Sequence, residues 1–216
     1  DRGGCACEPW RRRGPGLRYD GPRVPQLPVN PPEPMQRRIY VQPMKRAAVT
    51  LWGDEGLNAI AAALPDDTRA EFFQVVQAEP WIAARHLIRW MYAAHQGPSG
   101  LSLRKTKEYI DRIFDLGSGV ILRSLLWMAD PVALTPRLGP LWAKENTHGK
   151  LAGAVDPGGK SATFRLMGSP YTATPQTRGG IVENYRYAYS LTRAKNVRET
   201  HSLEKPGTLL FRIHWT

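Results

Sequence analysis

Cysteine is nearly absent from this chain: there are two in 216 residues, Cys5 and Cys7, and none after them. That excludes a disulfide framework, a zinc site of the Cys-x-x-Cys type and a thiol nucleophile in the folded part. Two cysteines one residue apart in the first ten are read as incidental residues. Long apolar runs are missing too. "NAIAAALP" and "GVILRSLLWMADPVAL" are the longest, and Arg123 and Asp130 interrupt the second. A membrane-crossing helix needs about 20 apolar residues, so no span is expected. The start, "DRGGCACEPWRRRG", has no apolar centre and does not read as a secretory signal. The expected location is the cytoplasm.

Catalytic patterns are missing as well. There is no Gly-x-Ser-x-Gly elbow, and the acidic residues are scattered rather than paired. "GAVDPGGKS" (153–161) approaches a phosphate loop, but that motif needs glycine at 154 if Lys160 is its lysine. Position 154 is alanine, and Gly153 is one place too early. The residues after Ser161 alternate as a strand does, so "DPGG" is read as the reverse turn of a hairpin. The five histidines form no ligand set. His86 and His95 are nine apart on one expected helix, about 14 Å along its axis, and cannot share a metal. His148 is expected at a helix end, where an imidazolium favours the dipole. His201 and His214 fall on neighbouring strands that could face one another. No enzyme activity is expected.

Charge and proline are what the chain has in excess. Net charge is +11, with 30 Lys and Arg against 19 Asp and Glu. Ten of the basic residues and only four acidic ones lie in residues 1–46, so just over half of the excess sits in about a fifth of the chain, which weakens the reading of a basic folded face. Residues 1–34 also hold eight of the nineteen prolines. Such a segment has little to bury against the entropy of ordering, so it is expected to be disordered or extended. It is either a genuine basic tail or an upstream extension of a chain that starts at Met35. A single domain is expected over 46–216.

Within that domain the periodicity changes once. "RAAVTLW" (46–52) reads as a short strand or a helix's first turn. Helical spacing follows over 53–64, from 65 to 77 with Asp66 or Asp67 as N-cap and Phe72, Phe73, Val75 and Val76 inside, and over 80–97. It resumes over 102–117, 119–129 and 130–149, with Asp130 capping and Pro131 in the first turn. The last third reads strand, strand, helix (176–196), strand, strand. Ala162, Phe164 and Leu166 alternate with Thr163, Arg165 and Met167, as in a half-buried strand. The fold class is therefore α+β, with an N-terminal helical cluster packed on a four-stranded, mainly antiparallel sheet. Seven tryptophans are available. Trp90, Trp127 and Trp142 on the helices, with Tyr185 and Tyr189 sharing a face of helix 176–196, are the candidate lining of an apolar ligand pocket.

Several features together carry a resemblance. They are the glycine-led helix from Gly117, the "P…LW…G" run ending at Gly149, the turn at 156–159, and the terminal "G-x-L-x-F-x-I-x-W" strand. The chain resembles an uncharacterised myxobacterial-type domain family and, more distantly, the heme-nitric-oxide-binding and vinyl-reductase-like sensor domains. That resemblance implies a stand-alone, bacterial, non-enzymatic sensory or regulatory domain; a protein partner in signalling is a further expectation. Heme-nitric-oxide domains hold heme propionates with a Tyr-x-Ser-x-Arg motif. "YRYAYSLTR" has Ala188 two before Ser190 and Thr192 two after it, so the motif is broken twice and the cofactor stays open. A small apolar molecule is the expected ligand. The alternative reading is a nucleic-acid-associated basic protein using the tail and "RKTK" (104–107).

Overall fold

A computed structural model describes residues 33–74 and 79–216, with backbone alone at 120–122 and 125. The expected tail over 1–32, and Val75 and Val76, lie outside the described residues.

The fold begins before residue 46. β1 (Met35–Arg37) pairs antiparallel with β2 (Trp81–Ala83), Gln36 opposite Ile82, and a 3-10 turn at Arg38–Tyr40 leads into α1 (Val41–Ala63). The expected helix start at Pro80 is therefore a strand, and "RAAVTLW" is neither strand nor first turn but the middle of α1. Both differences come from a pairing across 45 residues of sequence, which no local pattern carries. α2 (Asp66–Phe73) follows, with Pro65 at the N-cap position and Asp66 and Asp67 in the first turn instead of capping. Their charge still faces the positive end of the helix dipole. Phe72 is buried, but Phe73 is exposed.

α3 (Ala84–Gln96) carries a strongly one-sided apolar face, with Leu87, Trp90 and Ala94 inward. α4 (Leu103–Met128) is capped by Ser102, which accepts from Lys105 N. The break expected near 118 lies inside it, at Gly119 (φ +61°, ψ 163°), and Gly53 (φ +66°) breaks α1 in the same way. A side chain would meet its own backbone at such angles, so glycine is the residue that turns these helices. α5 (Pro131–Glu145) is capped as expected: the Asp130 carboxylate accepts from Val132 N at 2.9 Å. α5 runs directly along the strand that follows. A Cβ on Gly139 would stand 2.8 Å from the Leu151 carbonyl oxygen, so only glycine lets the two backbones come so close.

The last third has the expected order: β3 (Lys150–Val155), β4 (Ser161–Met167), α6 (Pro175–Ser190), β5 (Arg198–Lys205) and β6 (Thr208–His214). The sheet runs β3-β4-β6-β5 with every neighbour antiparallel. The β3–β4 connection is the expected turn, where Asp156 N donates to Ser161 O and the Asp156 carboxylate accepts from Ser161 Oγ and Thr163 Oγ1. His201 pairs with Phe211 and His214 with Arg198, so these two histidines do not face each other. His148 lies three residues beyond the end of α5, its Nδ1 against Thr147 Oγ1, and caps no helix.

The protein is α+β, with two apolar cores rather than one. Leu151, Phe164, Leu166, Leu209, Phe211 and Ile213 form the inner face of the sheet and are covered by α5 and α6. The second core lies among α1–α4, around Ile60, Phe72, Trp90 and Tyr109. Trp90 stacks on Phe72 (4.1 Å between ring centroids) and donates its indole N–H to the Tyr109 hydroxyl, which donates onward to Met44 O. Both rings are fully buried. Tyr109→Phe keeps the ring but orphans a donor and an acceptor, at about 1–3 kcal/mol each. Urea unfolding of that variant is expected to show the loss as a lowered midpoint with an unchanged slope.

Candidate functional site

Where the helical half meets α5 and α6, the chain leaves a cavity of about 640 Å³. That lies within the ~300–1,000 Å³ typical of small-molecule sites. Most of its wall is carbon, from Leu87 and Met91 on α3, Ile110 and Phe114 on α4, and Leu138 on α5, with Ile181 on α6. Helical spacing explains the wall: Ile110 and Phe114, four apart, stack on one face of α4, as do Leu87 and Met91 on α3. On α6 two consecutive glycines, Gly179 and Gly180, keep the near wall thin.

Of the five residues expected to line a pocket, the structure brings two to this wall, Trp142 and Tyr185. Trp90 lies behind it in the helical core. Tyr189 is inward but belongs to the sheet core. Its hydroxyl bonds Thr135 Oγ1 at 2.6 Å and its ring stacks on Trp215. Trp127 is corrected outright: 71% exposed near the end of α4, it faces away from the cavity. Tyr187 points elsewhere, as its position two residues from Tyr185 and Tyr189 requires, and bonds Asp115.

Of the polar groups at one end of the cavity, sequence reasoning found Tyr185 and missed the others. Tyr40, Tyr171 and Tyr185 line it together with Gln36 and Glu145. The Tyr171 hydroxyl donates to Gln36 Oε1. Burial drives the hydroxyls of Tyr171 and Tyr185 well above the ordinary tyrosine range, and each is raised further by Tyr40 close by. Tyr40 is raised by burial and then by the Glu145 carboxylate, with Arg37 opposing. Glu145 is itself pushed up by burial, against Arg37 and Lys144. All three phenols are therefore neutral hydrogen-bonding groups at any physiological pH.

At another part of the wall His95, Thr106, Lys107, Glu199 and His201 gather. Thr106 Oγ1 donates its one proton to Ser102 O (3.0 Å), so at 2.8 Å from His95 Nδ1 it accepts. The neutral imidazole thus carries its hydrogen on Nδ1 and its lone pair on Nε2. Lys107 lies between Glu199 and Glu183, and Arg186 ties Glu183 (2.6 Å) to Asp111 (2.9 and 3.1 Å). This seam of α4 against α6 holds two cations and three carboxylates. Asp111 takes up the imbalance: burial, then neighbouring Glu183, against Arg186, push it up to about 7. The folded state keeps that proton to a higher pH than the unfolded chain, whose value is near 3.8. Stability is therefore expected to fall as pH rises between those two values and to level off above them. Melting curves of Asp111→Asn should lack that slope. Of the basic run 104–107, Arg104 pairs with Glu108 and Lys107 belongs to this seam.

Among the described residues no helix is long and apolar enough to cross a membrane, and no three potential metal ligands cluster. No family model matches the chain, and no curated protein matches it. Solved structures do. An oxygen-binding H-NOX domain related to soluble guanylate cyclases, in its oxygen complex, matches with a TM-score of 0.54 at 12% identity, over 82% of this chain and 93% of that one. An Fe(II) unliganded H-NOX protein from K. algicida matches with a TM-score of 0.56 at 7% identity, over 83% and 96%. The chain shares the fold of H-NOX domains, the heme-nitric-oxide-binding group of the sequence resemblance.

Of the other structures that match, one concerns heme redox potential through porphyrin distortion and another heme distortion in the H-NOX family. Heme asks a protein for an axial donor to iron and for cations to answer the charge of its two propionates. His95 Nε2 has the lone pair for the first. For the second, the one lysine or arginine among the described wall residues is Lys107, already between two carboxylates, while Glu145 and Glu199 add negative charge. The Tyr-x-Ser-x-Arg pattern stays broken at Ala188 and Thr192. The residues present do not fit heme.

Proposed function

We propose that this protein is a non-enzymatic sensory or regulatory domain of the cytoplasm that binds a small apolar molecule between its helical half and its sheet. The observation that supports the reading is the cavity of about 640 Å³, walled mainly by carbon and lined by α3, α4, α5 and α6. Burying apolar ligand surface there stabilises a complex by about 25 cal/mol per Å² before the costs of association. A ligand at this junction touches both cores at once, so its binding can bias how α4 and α6 pack, which is what a sensor needs. The seam of Lys107, Glu183, Arg186 and Asp111 lies beside the cavity and is the element such a bias would act through. Native mass spectrometry of the purified protein tests the reading. A co-purified apolar species, released on denaturation, is expected. Protein that arrives empty and raises no fluorescence from the apolar dye N-phenyl-naphthylamine would contradict it.

A further inference from the structure

We infer that the cavity selects an uncharged molecule with an oxygen function, carbonyl or hydroxyl, at one end, held by the hydroxyls of Tyr40 and Tyr185. This rests on the ligand-binding reading above and names the ligand's class. Tyr40 and Tyr185 both line the cavity, and neither hydroxyl has a hydrogen-bond partner among the described residues. The third phenol of the group, Tyr171, is already committed to Gln36. A buried tyrosine hydroxyl ordinarily has a partner, so two open ones at the end of a carbon-walled space mark where a polar head belongs.

The surroundings decide the charge of that head. A carboxylate would enter beside Glu145, whose charge already disfavours ionisation of Tyr40. An ammonium would meet Glu145, whose Oε2 has no hydrogen-bond partner, but burial pushes this carboxyl toward its protonated, neutral form, with Arg37 and Lys144 opposing. The other charges on the wall, Lys107 and Glu199, are bonded to each other. Among the described wall residues an anion finds no free cation, and a cation finds only a carboxyl that burial holds toward its neutral form; a charge desolvated without a full counter-charge is strongly disfavoured. A neutral oxygen can accept from both phenols, and the rest of the molecule lies against Leu87, Ile110 and Leu138.

The test is displacement of N-phenyl-naphthylamine by four molecules of equal chain length: nonanol, nonanone, nonanoate and nonylamine. Nonanol and nonanone should compete about tenfold better than the two ions. Tyr40→Phe and Tyr185→Phe should each weaken nonanone about fivefold, the worth of one net hydrogen bond, while dye affinity stays within about twofold. Unchanged dye binding with weakened nonanone also shows that the variants are folded. Equal competition by all four molecules, best competition by an ion, or nonanone affinity untouched in both variants would overturn the selection by a neutral oxygen while leaving the cavity a ligand site. Absence of dye binding to the parent would instead remove the ligand-binding reading itself.

Discussion

Arg186→Met should lower the melting temperature by roughly 6–20 °C. Arg186 is 20% exposed and is bonded to two carboxylates, Glu183, which is 1% exposed, and Asp111. Removing one partner of a buried ionic group leaves uncompensated charge, at about 3–5 kcal/mol. For a chain of this size each kcal/mol moves the midpoint by about 2–4 °C. Glu183 would keep Lys107 alone, and Asp111 would lose its cation. Asp111, already pushed up by burial, would then hold its proton more firmly, so the penalty should be smaller near pH 5 than near pH 9. Arg104→Met is the control. Arg104 is 77% exposed and pairs with Glu108 one turn away on α4, an arrangement worth about 0.3–0.5 kcal/mol. Calorimetry on both variants separates the two cases. Equal small shifts would mean that the α4–α6 seam is held by its apolar contacts alone.

The β-sheet and most helix limits were legible because they are local. Alternation at Ala162, Phe164 and Leu166, the "DPGG" turn, and the Asp130-Pro131 start each depend on a few adjacent residues, and each forms as read. The glycines at 53 and 119 were legible as breaks, though α1 and α4 run on across them. What was hidden is non-local. β1 and β2 are three residues each and exist only as a pair, so residues 35–45 suggested no element and stayed between the tail and the expected domain. That misplacement left out Tyr40, a key polar group of the cavity. Tyr185 could be found because it stands one turn from Ile181 and Tyr189 on an inward face. Trp127 shares the apolar neighbourhood of a helix in sequence, but beyond the kink of α4 it is the neighbouring Leu126 that lines the cavity, and Trp127 faces solvent. Glu145 carried no signal: a lone glutamate at the end of a helix looks the same whether it meets solvent or a cavity.

The second large effect concerns the cavity itself. Gly180 lies on its α6 wall, and a Cβ added there would stand 3.8 Å from Ile110 Cδ1, an ordinary contact with a residue of the same wall. Its φ is one that any L-residue adopts, so a substitution carries no backbone strain. Replacing a helical glycine removes up to about 1 kcal/mol of helix-propensity cost. Gly180→Phe should therefore leave the protein folded, at or above the parent's melting temperature, with an aromatic ring in place of ligand space. Ligand affinity is expected to fall by a factor of about 100, the equivalent of roughly 2.7 kcal/mol of lost contacts and steric conflict.

Titrating N-phenyl-naphthylamine into the parent and into Gly180→Phe, with far-ultraviolet circular dichroism as the control for folding, tests the central claim most directly. A saturable, blue-shifted signal in the parent that is lost in a folded Gly180→Phe is the predicted result. The same titration curve for both proteins would show that the dye binds elsewhere and that the space between the helical half and the sheet is not a ligand site.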